Sequence, residues 1–277
     1  MSPRCFVIGH PIAHSRSPLI HGEWLRQYGI AGSYTGFDVA PADLPSFVMR
    51  LREGEFAGGN VTVPHKEAMM ALVDEISDAG RAVGAVNTLW RDGDRILADN
   101  SDVPGFLAHL DATVPDWESR VNTVLVLGAG GAARGIAFGF QSRGVGRILI
   151  ANRSRDRADE LVSAFGAPLE AVDWERRGAA VGEADLIVNT TALGLQGKPP
   201  LDIDLSRLRP GTIVDDIVYV PLKTDLLVQA ERRGGVIVDG LGMLLHQAVP
   251  GFTRWFGVTP EVTPALRDLV EADILKA

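Results

Sequence analysis

The stretch Val124–Arg134, Val-Leu-Val-Leu-Gly-Ala-Gly-Gly-Ala-Ala-Arg, constrains the fold of this chain more than any other. Its four apolar residues read as a buried strand that glycines turn into a helix. A dinucleotide pyrophosphate needs that shape. Gly128 allows a tight turn, Gly130 lets the backbone approach the phosphates, and small Ala133 lets the helix pack close to its strand. The helix start then offers free N–H groups and the positive end of a dipole. An ordinary strand–turn–helix junction shares some of these features, so context decides. A helix with Ile136, Phe138 and Phe140 among small residues follows, and the next strand runs out into Asn152-Arg153-Ser154. A site for NAD usually carries an acid about twenty residues on, to hold the ribose 2′-hydroxyl. Here Asn152 and Arg153 stand in that place, with Arg155 and Arg157 close behind. Cations at a strand tip without an acid suit a 2′-phosphate, so the expected cofactor is NADP.

The chain has 277 residues, too many for one typical core and enough for two domains. Its net charge of −8 argues against a nucleic-acid or anionic-membrane surface, since either wants a basic face. The single cysteine, Cys5, excludes an internal disulfide, and its apolar neighbours make it a small core residue. No signal-peptide pattern opens the chain, and a glycine or a charge interrupts every long apolar run. The expectation is a cytoplasmic protein with small-molecule partners, no metal, no nucleic acid and no membrane, as a monomer or homodimer.

Strand and helix patterns alternate along both halves. Strands are expected at Cys5–Gly9, Tyr34–Val39 and Asn60–Val63, and helices at Ser17–Tyr28, Leu44–Leu51 and His65–Val73. Val86–Trp90 and Arg95–Ala98 read as a hairpin joined by Asp92-Gly93. Further strands are expected at Arg147–Ala151, Asp185–Asn189, Thr212–Asp216 and Val236–Asp239, then helices to the end with a break near Pro260. The fold class is α/β, with mostly parallel, doubly wound sheets. An α/β unit ends near Asp102, and a Rossmann-type nucleotide unit begins in the helix that follows.

Three segments of the first half carry chemistry. In His14-Ser15-Arg16-Ser17-Pro18, Ser17 reads as an N-cap and Pro18 as the first helical residue. Taken alone, the segment is a well-capped helix. With Ser15 added, two hydroxyls and free helix N–H groups converge on an anion such as a carboxylate. In Asn60-Val61-Thr62-Val63-Pro64-His65-Lys66, a strand end carries Thr62 and the first turn of a helix carries Lys66. A lysine there opposes the helix dipole, which suggests a function or a nearby carboxylate, beside the ordinary alternative of a solvated surface lysine. His65 beside it reads as structural or solvent-facing. In Ala98-Asp99-Asn100-Ser101-Asp102, Asp102 is either a first-turn acid or, facing Lys66, half of a proton-handling couple. Asn87 adds an amide able to bridge a substrate hydroxyl and its neighbours.

These motifs, with Val7-Ile8-Gly9-His10-Pro11-Ile12, Gly84-Ala85-Val86-Asn87-Thr88 and Asp239-Gly240-Leu241-Gly242-Met243-Leu244 followed by Gln247, resemble the shikimate dehydrogenase family over nearly the whole chain. The resemblance implies reversible reduction of 3-dehydroshikimate to shikimate with NADPH. It implies a substrate-binding catalytic domain over 1–102, an NADP-binding Rossmann domain over 103–240, and C-terminal helices over 241–277 that return to the substrate domain. Ser15 and Ser17 would hold the substrate carboxylate. Thr62, Asn87, Asp102 and Gln247 would bind its ring hydroxyls, and Tyr219 would reach it from the nucleotide domain. Lys66 would be the general acid/base, paired with Asp102. Gly128, Ala129, Gly130, Gly131 and Ala132 would cradle the pyrophosphate, and Asn152, Arg153, Ser154 and Arg157 the 2′-phosphate. Ile217 and Gly240 would flank the nicotinamide, and Asp78 would make a further cofactor contact. The chain departs from the family pattern at Gly22, where an Asn is usual, at Ser101, where a Thr is usual, and mildly at Asn189-Thr190-Thr191-Ala192.

Overall fold

A computed structural model describes residues 2–276. The chain forms two compact units, one running to Gly105 and resuming at Leu244, the other spanning Phe106–Met243.

The first unit holds strands β1 (Arg4–Gly9), β2 (Ser33–Asp38), β3 (Gly58–Val61), β4 (Glu75–Ile76), β5 (Thr88–Asp92) and β6 (Arg95–Asp99) in one sheet of order β2-β1-β3-β5-β6-β4. β1 pairs parallel to β2 and β3, whereas β5 runs antiparallel to β3 and β6, so the expected hairpin makes this sheet mixed. Phe6 and Ile8 of β1 join Phe47, Leu51 and Phe56 in the core on one side. Phe6 meets the Phe47 ring edge-on at 4.9 Å and that of Phe56 at 5.1 Å. Each such contact adds about 0.5–1.5 kcal/mol beyond its buried area. Across the sheet, helices Ala248–Phe256 and Pro264–Ile274 are separated by the expected break. Trp255 Nε1 donates to the Leu89 carbonyl at 2.8 Å, and Trp24 Nε1 donates to the Glu261 carbonyl at 3.1 Å. These two indole bonds pin the chain's last segment to β5 and to helix Ser17–Gln27.

The second unit holds β7 (Thr123–Leu127), β8 (Arg147–Asn152), β9 (Leu169–Asp173), β10 (Leu186–Asn189), β11 (Ile213–Asp216) and β12 (Val236–Asp239). All pair parallel, in the order β12-β11-β10-β7-β8-β9. That is the doubly wound dinucleotide order, with its switch point between β7 and β10. β7 is buried on both faces, which is why it reads as an unbroken apolar run. β9 and the two-residue β4 carry too little apolar pattern to be read from the sequence.

Two local expectations fail. The helix expected over His65–Val73 is a turn followed by a single 3₁₀ turn, Ala68–Ala71. The Lys66 carbonyl accepts from Val86 N–H at 3.0 Å, a tertiary bond, while Met70 N–H reaches back only to Glu67. Lys66 therefore sits in a loop, and no helix dipole acts against it. Ser17 is not an N-cap either. Arg16 occupies that position, Ser17 is the first helical residue, and no side chain caps the helix.

Candidate functional site

In the first unit, the ends of β3, β5 and β6 bring three of the expected residues into direct contact. Lys66 Nζ donates to Asp102 Oδ2 at 2.5 Å, and Asn87 Nδ2 donates to Asp102 Oδ1 at 2.9 Å. The lysine and aspartate side chains are 28% and 29% exposed, open enough to meet a ligand. Exposed ion pairs are worth about 0–1 kcal/mol, and this partly enclosed one is less screened.

Several neighbours hold this cluster. Asn100 Oδ1 accepts from Asp102 N–H at 3.0 Å and Val103 N–H at 3.3 Å, and so caps helix Asp102–Thr113. Asn100 does the capping that Asp102 would otherwise do, and the Asp102 carboxylate is left for Lys66 and Asn87. Asn87 Oδ1 accepts from the backbone N–H of Ser101 at 2.7 Å. A backbone N–H can only donate, so the orientation of the Asn87 amide is set and its NH₂ must point to Asp102. His65, buried beside Lys66, binds the Val39 carbonyl at 2.7 Å through Nε2 and is structural.

Thr62 follows β3, partly exposed, its N–H bonded to the Ile8 carbonyl at 2.8 Å. Ser15 and Ser17 flank the uncapped start of helix Ser17–Gln27, whose first N–H groups are left without a side-chain partner. Arg16 between them turns away and pairs with Asp273 at 3.2 Å. Gln247 is buried and donates its amide N–H to the Leu244 carbonyl at 3.0 Å. Asp78 is an exposed acid in the first turn of helix Asp78–Val83, where the dipole favours it.

In the second unit, Gly128 adopts φ +113°, a conformation L side chains rarely take. A Cβ there would also meet Thr190 Oγ1 at 2.5 Å. Gly130 and Gly131 face open space, and Gly130 starts helix Gly131–Ser142 with no side-chain cap. Ala133 is fully buried against the sheet. A cavity of about 350 Å³ opens at the switch point, lined by Gly128, Gly130, Asn152, Arg153, Thr190 and Lys198 among others. This cradle fits a dinucleotide phosphate: open backbone, free helix-start N–H groups and cations at the rim. Arg153 and Arg157 are exposed at the tip of β8 and in the next helical turn, and Ser154 is the N-cap residue between them. Arg155 is taken up by Asp159 at 2.9 Å and Asp173 at 2.5 Å. Lys198, which the sequence reading passed over, comes to the rim through the loop after β10.

Ile217 and Tyr219 lie on the turn after β11. Asp216 fixes that turn by accepting from Val218 N–H at 3.1 Å, Asn189 Nδ2 at 2.9 Å and Thr224 Oγ1 at 2.6 Å. Burial pushes the Asp216 carboxyl up to about 6, against the pull of those three donors. Gly240 has a packing reason of its own, since a Cβ there would run into the Ile217 carbonyl. Among the described residues no group of His, Cys, Asp and Glu is arranged to hold a metal ion, and no helix is long and apolar enough to cross a membrane.

Similarity to known proteins extends over nearly the whole chain. Residues 7–89 match the shikimate dehydrogenase substrate-binding domain. Residues 112–195 match the shikimate/quinate 5-dehydrogenase model, and 240–268 the shikimate 5′-dehydrogenase C-terminal domain. A shikimate dehydrogenase (NADP(+)) of Methylobacterium radiotolerans is 54% identical, over 99% of this chain and 98% of its own. One from Azorhizobium caulinodans is 51% identical over 98% and 96%. The crystal structure of shikimate 5-dehydrogenase from Thermus thermophilus, in complex with NADP(H) and shikimate, superposes with a TM-score of 0.85 at 36% identity, covering 99% of both chains. By sequence over its full length, and by fold, this chain belongs to the shikimate dehydrogenase family.

Proposed function

We infer that this chain catalyses the reversible NADPH-dependent reduction of 3-dehydroshikimate to shikimate, in chorismate and aromatic amino-acid biosynthesis. We place it in the cytoplasm, as a monomer or homodimer. The observation that carries the reading is the bonded cluster of Lys66, Asp102 and Asn87 in a chain of this family.

NADPH supplies the hydride that adds to the substrate's carbonyl carbon. The protein must then deliver a proton to the carbonyl oxygen as charge develops on it. Lys66 is assigned that proton. As an ammonium it donates through Nζ, and in the reverse direction its neutral amine takes the proton from the hydroxyl. Such general acid–base help is typically worth ~10²–10⁴-fold. Asp102 holds the ammonium in place with one oxygen and is itself held by Asn87 through the other. Each carboxylate oxygen keeps a lone pair for a substrate hydroxyl. Asn87, Thr62 and Gln247 are assigned to the remaining ring hydroxyls. Ser15 and Ser17, beside uncapped helix N–H groups, are assigned to the carboxylate. Tyr219 is assigned to the substrate, and Ile217, Gly240 and Asp78 to the cofactor.

On the cofactor side, Gly128 to Ala132 receive the pyrophosphate and Asn152, Arg153, Ser154 and Arg157 the 2′-phosphate. A charged fork at the strand tip suits a doubly charged phosphate and gains less from a neutral ribose hydroxyl. The test is the reduced-nicotinamide absorbance with shikimate, quinate, NADP and NAD crossed pairwise. Turnover with shikimate and NADP well above every other pair supports the reading. Preference for quinate or for NAD overturns the corresponding half.

A further inference from the structure

Behind the Lys66–Asp102–Asn87 cluster runs a second, buried row of polar side chains. Thr88, 3% exposed, is its hub. Its hydroxyl oxygen accepts from Asn60 Nδ2 at 3.1 Å. Its one proton has two acceptors in reach, Asn87 Oδ1 at 3.1 Å and Ser101 Oγ at 2.9 Å. Ser101 Oγ in turn lies 3.2 Å from Asn87 Oδ1, so either route ends on the same amide oxygen. Asn60, 5% exposed, also donates Nδ2 to the Asn87 backbone carbonyl at 2.9 Å. That carbonyl can only accept, so Asn60 Oδ1 must face the other way, where Tyr34 donates its hydroxyl proton at 2.6 Å. The Tyr34 ring stacks flat on His21 at 4.0 Å, and its hydroxyl is also a hydrogen-bonding neighbour of the Ser17 side chain. The row thus leads from the start of helix Ser17–Gln27 to the amide that grips Asp102, with the Asn60 and Asn87 amides fixed in direction by their backbone partners.

Packing alone does not explain this row. Strand interiors favour apolar side chains, and each buried polar group is costly unless bonded. Asn60 and Thr88 on the neighbouring strands β3 and β5, with the Tyr34 hydroxyl reaching Asn60 from β2 beyond β1, are stable only as a complete set.

We propose that Thr88, Asn60 and Tyr34 are positioning residues, which hold the Asn87 amide in the orientation that fixes Asp102 and Lys66 for proton transfer. This rests on the reading of Lys66 and Asp102 as the proton-handling pair. The three touch neither substrate nor cofactor in this scheme, and act by keeping the pair from swinging. Misplacement of an acid/base by about 1 Å can cost about 10²-fold in rate.

The experiment compares Thr88→Val with Thr88→Ser by steady-state kinetics and thermal unfolding, with Lys66→Ala alongside. Valine keeps the volume and removes the hydroxyl, whereas serine keeps the hydroxyl and removes the methyl. Positioning predicts that Thr88→Val lowers kcat by about tenfold or more. It predicts KM for NADP within about twofold of wild type, and Thr88→Ser holding about half of wild-type kcat or better. A purely packing role predicts the reverse order. Wild-type kcat in Thr88→Val, or Thr88→Ser as slow as Thr88→Val, overturns the proposal. Should Thr88→Val not fold, Tyr34→Phe carries the same claim with a fall in kcat of about threefold or more, and wild-type kcat there overturns it. Lys66→Ala separates the two levels. An inactive Lys66→Ala beside a fully active Thr88→Val refutes the positioning row alone, and an active Lys66→Ala refutes the assignment of the pair.

Discussion

Lys66 and Asp102, thirty-six residues apart in sequence, meet at 2.5 Å, and the aspartate's other oxygen is held by Asn87 at 2.9 Å. The contact exists because Val86 N–H captures the Lys66 carbonyl and Asn100 takes over the capping of the helix that Asp102 begins. All three bonds hold backbone groups and thereby place a side chain. From them follows a lysine kept beside its carboxylate before any substrate arrives.

The cofactor choice is tested at the tip of β8. Arg153→Ala should raise KM for NADP by about 10–100-fold, the range of one or two lost charge-assisted bonds to phosphate. It should change KM for NAD by less than about threefold. Arg155→Ala should do much less to NADP, because its guanidinium is already bound by Asp159 and Asp173. Steady-state kinetics with both cofactors reads this, and equal losses for NADP and NAD would contradict the 2′-phosphate assignment.

Acid should destabilise the first unit through His21. The ring is fully buried, stacked on Tyr34, and burial pulls its pKa from 6.5 down to about 3. The unfolded chain therefore binds this proton more readily. The stability contributed is present above about pH 6.5 and is lost as pH falls from there toward 3. Wild-type Tm should fall across that window, and His21→Phe, which keeps an aromatic ring in the stack, should flatten the fall. Parallel Tm–pH curves for the two proteins would show that His21 does not carry it.

Base should act on the second unit with the opposite sign. Asp215 lies inside β11, with Oδ2 buried and without a hydrogen-bond partner. Burial first, then the Asp216 and Asp239 charges, push its carboxyl well above the usual range. Its contribution is complete below the unfolded carboxylate pKa near 3.8 and is lost as pH rises toward the folded value. Asp215→Asn removes the titration while keeping the shape. Relative to wild type, its Tm should rise as pH climbs above the unfolded carboxylate value of 3.8 toward neutrality. A constant difference over that range would refute the assignment.

The strands and helices that position the site were largely legible, because each carries an apolar period of its own. β7 is a continuous apolar run and β12 begins and ends where its valines and aspartate place it. What failed was decided by bonds between distant residues. The pattern of His65–Val73 is helical, yet the Lys66 carbonyl is taken by Val86, and after one helical bond from Met69 to His65 the segment tightens into a 3₁₀ turn. Ser17 has the chemistry of an N-cap, yet Arg16 takes the position. Asn60, Thr88 and Asn100 stand in the motifs without a role of their own, because an isolated amide or hydroxyl in a strand or turn carries no periodic signal. Their meaning appears only when β3, β5 and the loop after β6 lie side by side. Lys198 reaches the cofactor cavity through a loop, where spacing says nothing about direction.

Removing the side chain assigned to carry the proton tests the account most directly. For Lys66→Ala, kcat in shikimate oxidation and the Kd of shikimate should be measured on the same preparation. The expected result is a fall in kcat of about 10²–10⁴-fold with Kd within about tenfold of wild type. Turnover within about tenfold of wild type, or binding lost in the same proportion as turnover, would contradict it.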